Sequence, residues 1–286
     1  MKLRILESGK FKLDGGAMFG VVPKSMWNKQ NPADENNMCT WATRLLIIET
    51  RERKILIDAG IGRKQGPKFL SHFHPHDGDI HENIENNIID PASITDVLLT
   101  HLHFDHCGGA LYFDENKEAK PTFPNATYWS CENHFNWAYT PNPREKASFL
   151  KENFVPLRDL GILKFIPMVQ AYEWLPGIRI RYYFGHTEAM MVPEITMEDG
   201  TMVYFPADLL PSAHHVRLPY VMSYDIRPLK SMSERKEFYD LILSNERSLI
   251  VFEHDPIHQL GELYLNEKGR YAINTNVVKD SIVMSS

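Results

Sequence analysis

Short apolar runs recur along this chain, some alternating strictly with polar residues, and that spacing predicts strands more often than helices. KLRILESGKF at the N-terminus alternates, and so does GIRIRYYFG further on. TRLLIIETRERKILIDAG predicts a hairpin, with runs at 44–49 and 54–57 on either side of a charged turn. SITDVLLTH and SLIVFEHDP are mostly apolar and β-branched, as buried strands are, and both end in polar residues. ATYWS predicts another strand, and MVPEIT and TMVYFPA flank Glu198-Asp199-Gly200 as an antiparallel pair. GGAMFGVVPKSMW is expected to be a glycine-opened turn and loop, and GPKFLSHFHPHDGDIHENIENNIIDP mostly loop with one short helix. Helices are expected over PREKASFLKENFVPL, broken near Pro156, and from a capping box of Ser231 with Glu234 to about residue 245, with Phe238, Leu241 and Ile242 on one face. Strands in both halves with helices between them predict two sheets packed face to face with helices outside, in a single domain over residues 1–286.

Composition narrows the partners. The net charge of −6 and the absence of any Lys/Arg-rich run argue against nucleic acid. Three cysteines, Cys39, Cys107 and Cys131, are too few and too irregular for a disulfide framework, which fits a reducing compartment. No signal-like stretch opens the chain, and no window approaches the roughly 18 apolar residues of a membrane span. A cytoplasmic protein with no membrane partner is the expectation. The 13 histidines are many for this length, so their positions matter.

LLTHLHFDHCGG places His101, His103, Asp105 and His106 where a buried strand ends. His101 and His103 are two apart and point the same way in extended chain, while Asp105 and His106 follow in the turn. Gly108-Gly109 permits close backbone approach there. Imidazole and carboxylate donors at this density suit a metal, and their number suits parts of two metals. Further donors follow other strands: His186 after YYFG, Asp208 after VYFPA, and His254, flanked by Glu253 and Asp255, after LIVF.

The pattern His-x-His-x-Asp-His, then Gly-His, Asp and a last His, resembles the metallo-β-lactamase superfamily over roughly residues 40–260. The resemblance implies the four-layer αββα sandwich. It implies His101, His103 and His186 on one metal, Asp105, His106 and His254 on a second, and Asp208 bridging them. LIDAG resembles the family's early Asp-x-Gly turn, which makes Asp58 a residue orienting a metal-bound histidine. The bridging Asp208 sets the chain apart from the superfamily's exported β-lactamases, and His103 from its flavodiiron members. Glyoxalase II and nuclease relatives carry extra domains for which this chain leaves no room. DGGAMFGVVPKSMW and FPADLLPSAHHVRLPYVMSYDIRP look like the compact branch that hydrolyses lactones, esters and organophosphates, especially quorum-quenching N-acyl homoserine lactonase-like proteins.

The expected chemistry is hydrolysis of a small ester-type substrate, a lactone first, by a hydroxide bridging two divalent cations, with Asp208 at the reacting centre. Zinc is the default for nitrogen and oxygen donors, with iron, manganese and cobalt compatible. Organophosphate hydrolysis at the same centre is one alternative, and a metal-stabilised binding protein without catalysis is another. The tyrosine that lactonases commonly carry three residues after the bridging aspartate is here Pro211, and His214 or Tyr224 is expected to stand in. Met18, Phe19 and Trp27 are expected to wall an apolar substrate pocket, so the small-molecule partner has an apolar part; a homodimer stays open. His72, His74, His76 and His81 are expected on a solvated loop, and Cys107 in small buried packing.

Overall fold

Alternating burial along β1 (Lys2–Asp14) carries the N-terminal strand further than its sequence pattern marks. The computed structural model describes residues 1–277 and 282–284. The remaining strands are β2 (Met38–Glu49), β3 (Lys54–Ile57), β4 (Asp96–Leu98), β5 (Leu111–Phe113), β6 (Ala119–Pro121), β7 (Thr127–Ser130) and β8 (Leu163–Phe165). They continue as β9 (Tyr172–Leu175), β10 (Ile178–Tyr183), β11 (Met190–Thr196), β12 (Met202–Tyr204), β13 (Ser248–Val251), β14 (Leu260–Leu265), β15 (Tyr271–Asn274) and β16 (Ile282–Met284). One sheet has the order β16-β1-β2-β3-β4-β7-β8, a second β15-β14-β13-β12-β11-β10-β9, and β5-β6 forms a small hairpin. The expected hairpin is present, with Leu46 opposite Ile57 and Glu49 opposite Lys54. So is the antiparallel pair β11-β12, with Glu194 opposite Tyr204.

The chain divides into two compact units. The first is Met1–Phe11, Thr43–Met168 and Ser281–Ser286, and the second is Lys12–Ala42 and Val169–Asp280. The first is built on an apolar cluster that includes Leu45, Ile47, Leu56, Val97, Phe123 and Tyr128. Among the described residues no helix is long and apolar enough to cross a membrane.

Three local expectations change. GGAMFGVVPKSMW is not a loop but two short helices, Gly15–Phe19 and Lys24–Trp27, the first capped by Asp14, whose side chain accepts from the Ala17 amide. PREKASFLKENFVPL is not one helix. Asn142 accepts from the Arg144 and Glu145 amides to form a turn, and only a 3-10 turn (Lys151–Asn153) and the short helix Val155–Asp159 follow, with Pro156 in its first turn. The helix assigned to the Ser231/Glu234 box starts earlier, at Pro228, and runs to Leu243. Proline's fixed φ suits a first helical turn. Glu234 is thereby freed from capping this helix and instead accepts the Phe184 and Gly185 amides at 2.8–3.0 Å.

Met18, Phe19 and Trp27 are 1%, 0% and 1% exposed, so the expected pocket wall is core of the second unit. The Phe19 ring stacks on Trp27 at 5.4 Å and on the His215 imidazole at 4.8 Å, with Tyr220 edge-on at 6.2 Å. Trp27→Ala should therefore lower stability by about 3–5 kcal/mol, the usual cost of emptying a packed aromatic site. Urea unfolding measures it; a loss below about 1 kcal/mol would return Trp27 to the role of an adaptable wall.

Candidate metal centre

In the first unit, β4 ends at Leu98 and the chain turns through Thr100 to His106. The turn is tied down by Asp58, a fully buried residue with φ of 60° at the end of β3. Its carboxylate accepts the Thr100 amide and hydroxyl, each at 2.7 Å, and meets His106 Nδ1 at 3.0 Å. These bonds fix proton positions. The Thr100 hydroxyl spends its only proton on Asp58, so at 3.1 Å it can only accept from His101 Nδ1. His106 likewise donates from Nδ1. Both imidazoles are left with a lone pair on Nε2, the tautomer a metal requires.

His101 Nε2 lies 3.1 Å from His103 Nδ1, and the His101 and His106 rings are 3.9 Å apart. Asp105 Oδ2 lies 3.8 Å from His106 Nε2. Glu145 Oε1, at 3.8 Å from His103 Nε2, is beyond hydrogen-bond length. The glycine pair serves as expected, because a Cβ on Gly108 would meet the Ile61 carbonyl oxygen at 1.9 Å and one on Gly109 that of Ala59 at 2.1 Å. Cys107 is buried packing; burial pushes its thiol up to about 12.

The second unit repeats the logic with other parts. His186 follows β10 in a turn whose amides at Phe184 and Gly185 are held by Glu234. Gly185 is required there, since a Cβ would come within 2.3 Å of the Ser231 hydroxyl. His186 Nδ1 donates to Asp225 at 2.8 Å, and His254 Nδ1 donates to the Ala42 carbonyl at 2.8 Å. Each Nε2 then faces one oxygen of the same carboxylate: Asp208 Oδ2 is 3.0 Å from His186 and Asp208 Oδ1 is 3.2 Å from His254. Asp208 occupies a 3-10 turn (Ala207–Leu209) after β12. Burial alone would depress the His186 imidazole, but the Asp208 and Asp225 carboxylates outweigh it and raise its pKa to about 10. A proton is stabilised where a cation would be.

This donor set fits divalent cations. His101, His103, Asp105, His106, His186, Asp208 and His254 are all buried and belong to groups able to hold a metal ion. Four of the five imidazoles have their tautomer set from the side away from the other donors. Asp58 makes the contact to His106 that an orienting role would need.

The catalytic stand-ins are placed differently. His214 is half-buried and lines a cavity to which none of the seven donors contributes. Tyr224 is 37% exposed. The neighbour His215 is wholly buried, with Ser212 Oγ 2.7 Å from Nδ1 and the Met18 carbonyl accepting from Nε2. Sequence reasoning missed Thr100, Asp225 and Glu234. Thr100, next to His101, could have been found from the motif, but nothing local marks Asp225 or Glu234.

Residues 43–128 match the family model of the metallo-beta-lactamase superfamily. A solved structure of a probable metal-dependent hydrolase from Staphylococcus aureus superposes with a TM-score of 0.82 at 28% identity, covering 97% of this chain and 99% of that one. The family match thus covers the first part of the metal-donor motif, and the likeness in fold extends over nearly the whole chain. The superfamily fold is the class expected from the sequence. Within it, the chain is 22% identical over 267 residues to an N-acyl homoserine lactonase of Bacillus thuringiensis, covering 89% of this chain and 93% of that protein. AidC, a dizinc quorum-quenching lactonase solved with a product, superposes with a TM-score of 0.76 at 18% identity, covering 96% and 94%.

Two measurements test the supports. Asp225→Ala should weaken metal binding about 10–100-fold, as loss of an orienting partner does, read by competition with a chelator. An unchanged affinity would mean that the backbone alone orients His186. For His215, burial and then the Arg235 guanidinium push the pKa from 6.5 down to about 3. The folded protein therefore keeps a neutral imidazole while the unfolded chain takes up a proton below pH 6.5. This contribution is complete above 6.5 and is lost as pH falls towards 3, by up to about 1.4 kcal/mol per pH unit. The stability advantage of the wild type over His215→Phe should shrink across that window; a constant difference would refute the assignment.

Proposed function

We propose that this metallo-β-lactamase superfamily hydrolase opens a small ester-type substrate, a lactone with an apolar part, at a dinuclear centre. His101, His103 and His186 would hold one cation, Asp105, His106 and His254 the other, with Asp208 shared between them. The observation that carries the reading is Asp208, whose two oxygens each face a different imidazole Nε2. That division is what a carboxylate shared between two cations would need. The lactonase relatives, one of them named as a dizinc enzyme, support the substrate class and the choice of zinc.

When bound, two divalent cations supply a nucleophile at neutral pH by lowering the pKa of water, and they polarise the attacked carbonyl. The chain's own residues do the rest. Asp58, Thr100, Asp225 and the Ala42 carbonyl keep protons on Nδ1, so the donors do not need to rearrange. Asp105 and Asp208 contribute less negative charge than two divalent cations bring, and the excess faces the oxyanion that develops on ester attack. Substitution of Pro211 for the lactonase tyrosine removes one side-chain donor. His214 lines another cavity and Tyr224 is 37% exposed, so polarising the carbonyl would rest chiefly with the bound cations.

The zinc-loaded protein should carry two metals per chain and hydrolyse lactones faster than aryl esters or aryl phosphotriesters. Asp208→Ala should lose one or both ions, with kcat/KM falling at least about a hundredfold. Retention of two metals and full turnover in that variant would overturn the bridge. A preference for phosphotriesters would move the substrate class, and a fully loaded protein inert on all three would leave a binding protein.

A further inference from the structure

The second unit contains a cavity of about 730 Å³ that the proposed reaction does not use. Most of its wall comes from two stretches, Ala213–His214 with Val216–Pro219 and Asn266 with Gly269–Ile273, and Gln30, His258 and Thr275 complete it. This volume is in the range that encloses small organic ligands, well above the need of an inorganic ion.

Its chemistry is one-sided. Arg217, Arg270, His214 and His258 line it, and no Asp or Glu is among its described lining residues, although acidic residues outnumber basic ones in the chain, 37 to 31. The guanidiniums belong to exposed residues, while His214, Val216, Leu218, Ala272 and Ile273 are half-buried. Cationic groups therefore lie towards solvent over a partly apolar interior. His214 Nε2 is buried without a hydrogen-bond partner. Asp255, the carboxylate that acts on His214, is already committed to the Ala213, Ile257 and His258 amides at 2.6–3.0 Å.

Both arginines stand on ordered supports. Arg217 lies over the Tyr220 ring at 5.7 Å. Arg270 closes a tight turn in which the Asn266 amide donates to its carbonyl at 2.9 Å and the Asn266 side chain accepts its amide at 3.1 Å. The Arg217 guanidinium and the fixed backbone of Arg270 present fork-shaped donors that suit a carboxylate.

We infer that this cavity is a binding site for a small organic carboxylate with an apolar chain, its head between Arg217 and Arg270 and its chain along Val216, Leu218, Ala272 and Ile273. The assignment is independent of the reaction proposed above, since it is read by binding and not by turnover.

Titration calorimetry of the zinc-loaded protein with octanoate tests it, with 1-octanol and acetate as probes lacking the charge or the chain. Octanoate should bind with a Kd near or below about 1 mM. Octanol and acetate should each bind at least about tenfold more weakly. A protein carrying both Arg217→Ser and Arg270→Ser should keep its metal content and thermal midpoint and lose octanoate affinity by at least about tenfold. Unchanged octanoate binding in that protein would place the ligand elsewhere, at the metals for instance, and overturn the proposal. So would equal affinity for octanol, the sign of an apolar groove that ignores charge, or no heat from wild type at about 10 mM octanoate.

Discussion

A buried carboxylate shared between two imidazoles is the constraint on which the rest of the second unit depends. Asp208 meets His186 on one oxygen and His254 on the other. A carboxylate out of water is costly unless its charge is balanced, and proximity of two neutral rings does not balance it. The chain answers by fixing both rings from behind, through Asp225 and the Ala42 carbonyl, so that their lone-pair nitrogens and the carboxylate converge. The two carboxylates facing His186 favour positive charge there, which is why its pKa is raised despite burial. Asp58 sets the same kind of condition in the first unit, where one carboxylate orders Thr100, His106 and, through Thr100, His101.

The donors were legible in the sequence because they follow apolar strands, and apolar periodicity is a local signal. His101 to His106, His186, Asp208 and His254 could each be placed at the end of such a run, as β4, β10, β12 and β13 confirm. The second tier was not legible. Asp225 reaches His186 across 39 residues and Glu234 reaches Gly185 across 49, with no spacing rule connecting either pair. The Ser231/Glu234 box misled for the same reason. It has the local form of a helix start, but a tertiary demand for amide acceptors at Phe184 and Gly185 claimed the glutamate, and Pro228 started the helix earlier.

The aromatic residues near the N-terminus teach a related lesson. Met18, Phe19 and Trp27 lie in a stretch punctuated by glycine and proline, which suggested a mobile wall. Their real partners are remote in sequence: His215 donates to the Met18 carbonyl and stacks on Phe19. Adjacent histidines thereby divide between two environments. His215 is sealed in this cluster, whereas His214 turns to the cavity beyond it. Sequence proximity to Asp208 could not distinguish them, because the short 3-10 turn Ala213–His215 sends consecutive side chains in different directions.

The Glu234 clamp has a kinetic consequence. The helix Pro228–Leu243 donates no ligand, yet it holds both amides that precede His186, and Ser231 on its first turns packs where Gly185 has no side chain. A cation held at His186 would then depend on a helix that supplies no donor, and the opening of that helix would bear on how long the cation stays. Phe238 and Tyr239, on its buried face, would be tied to the same turn.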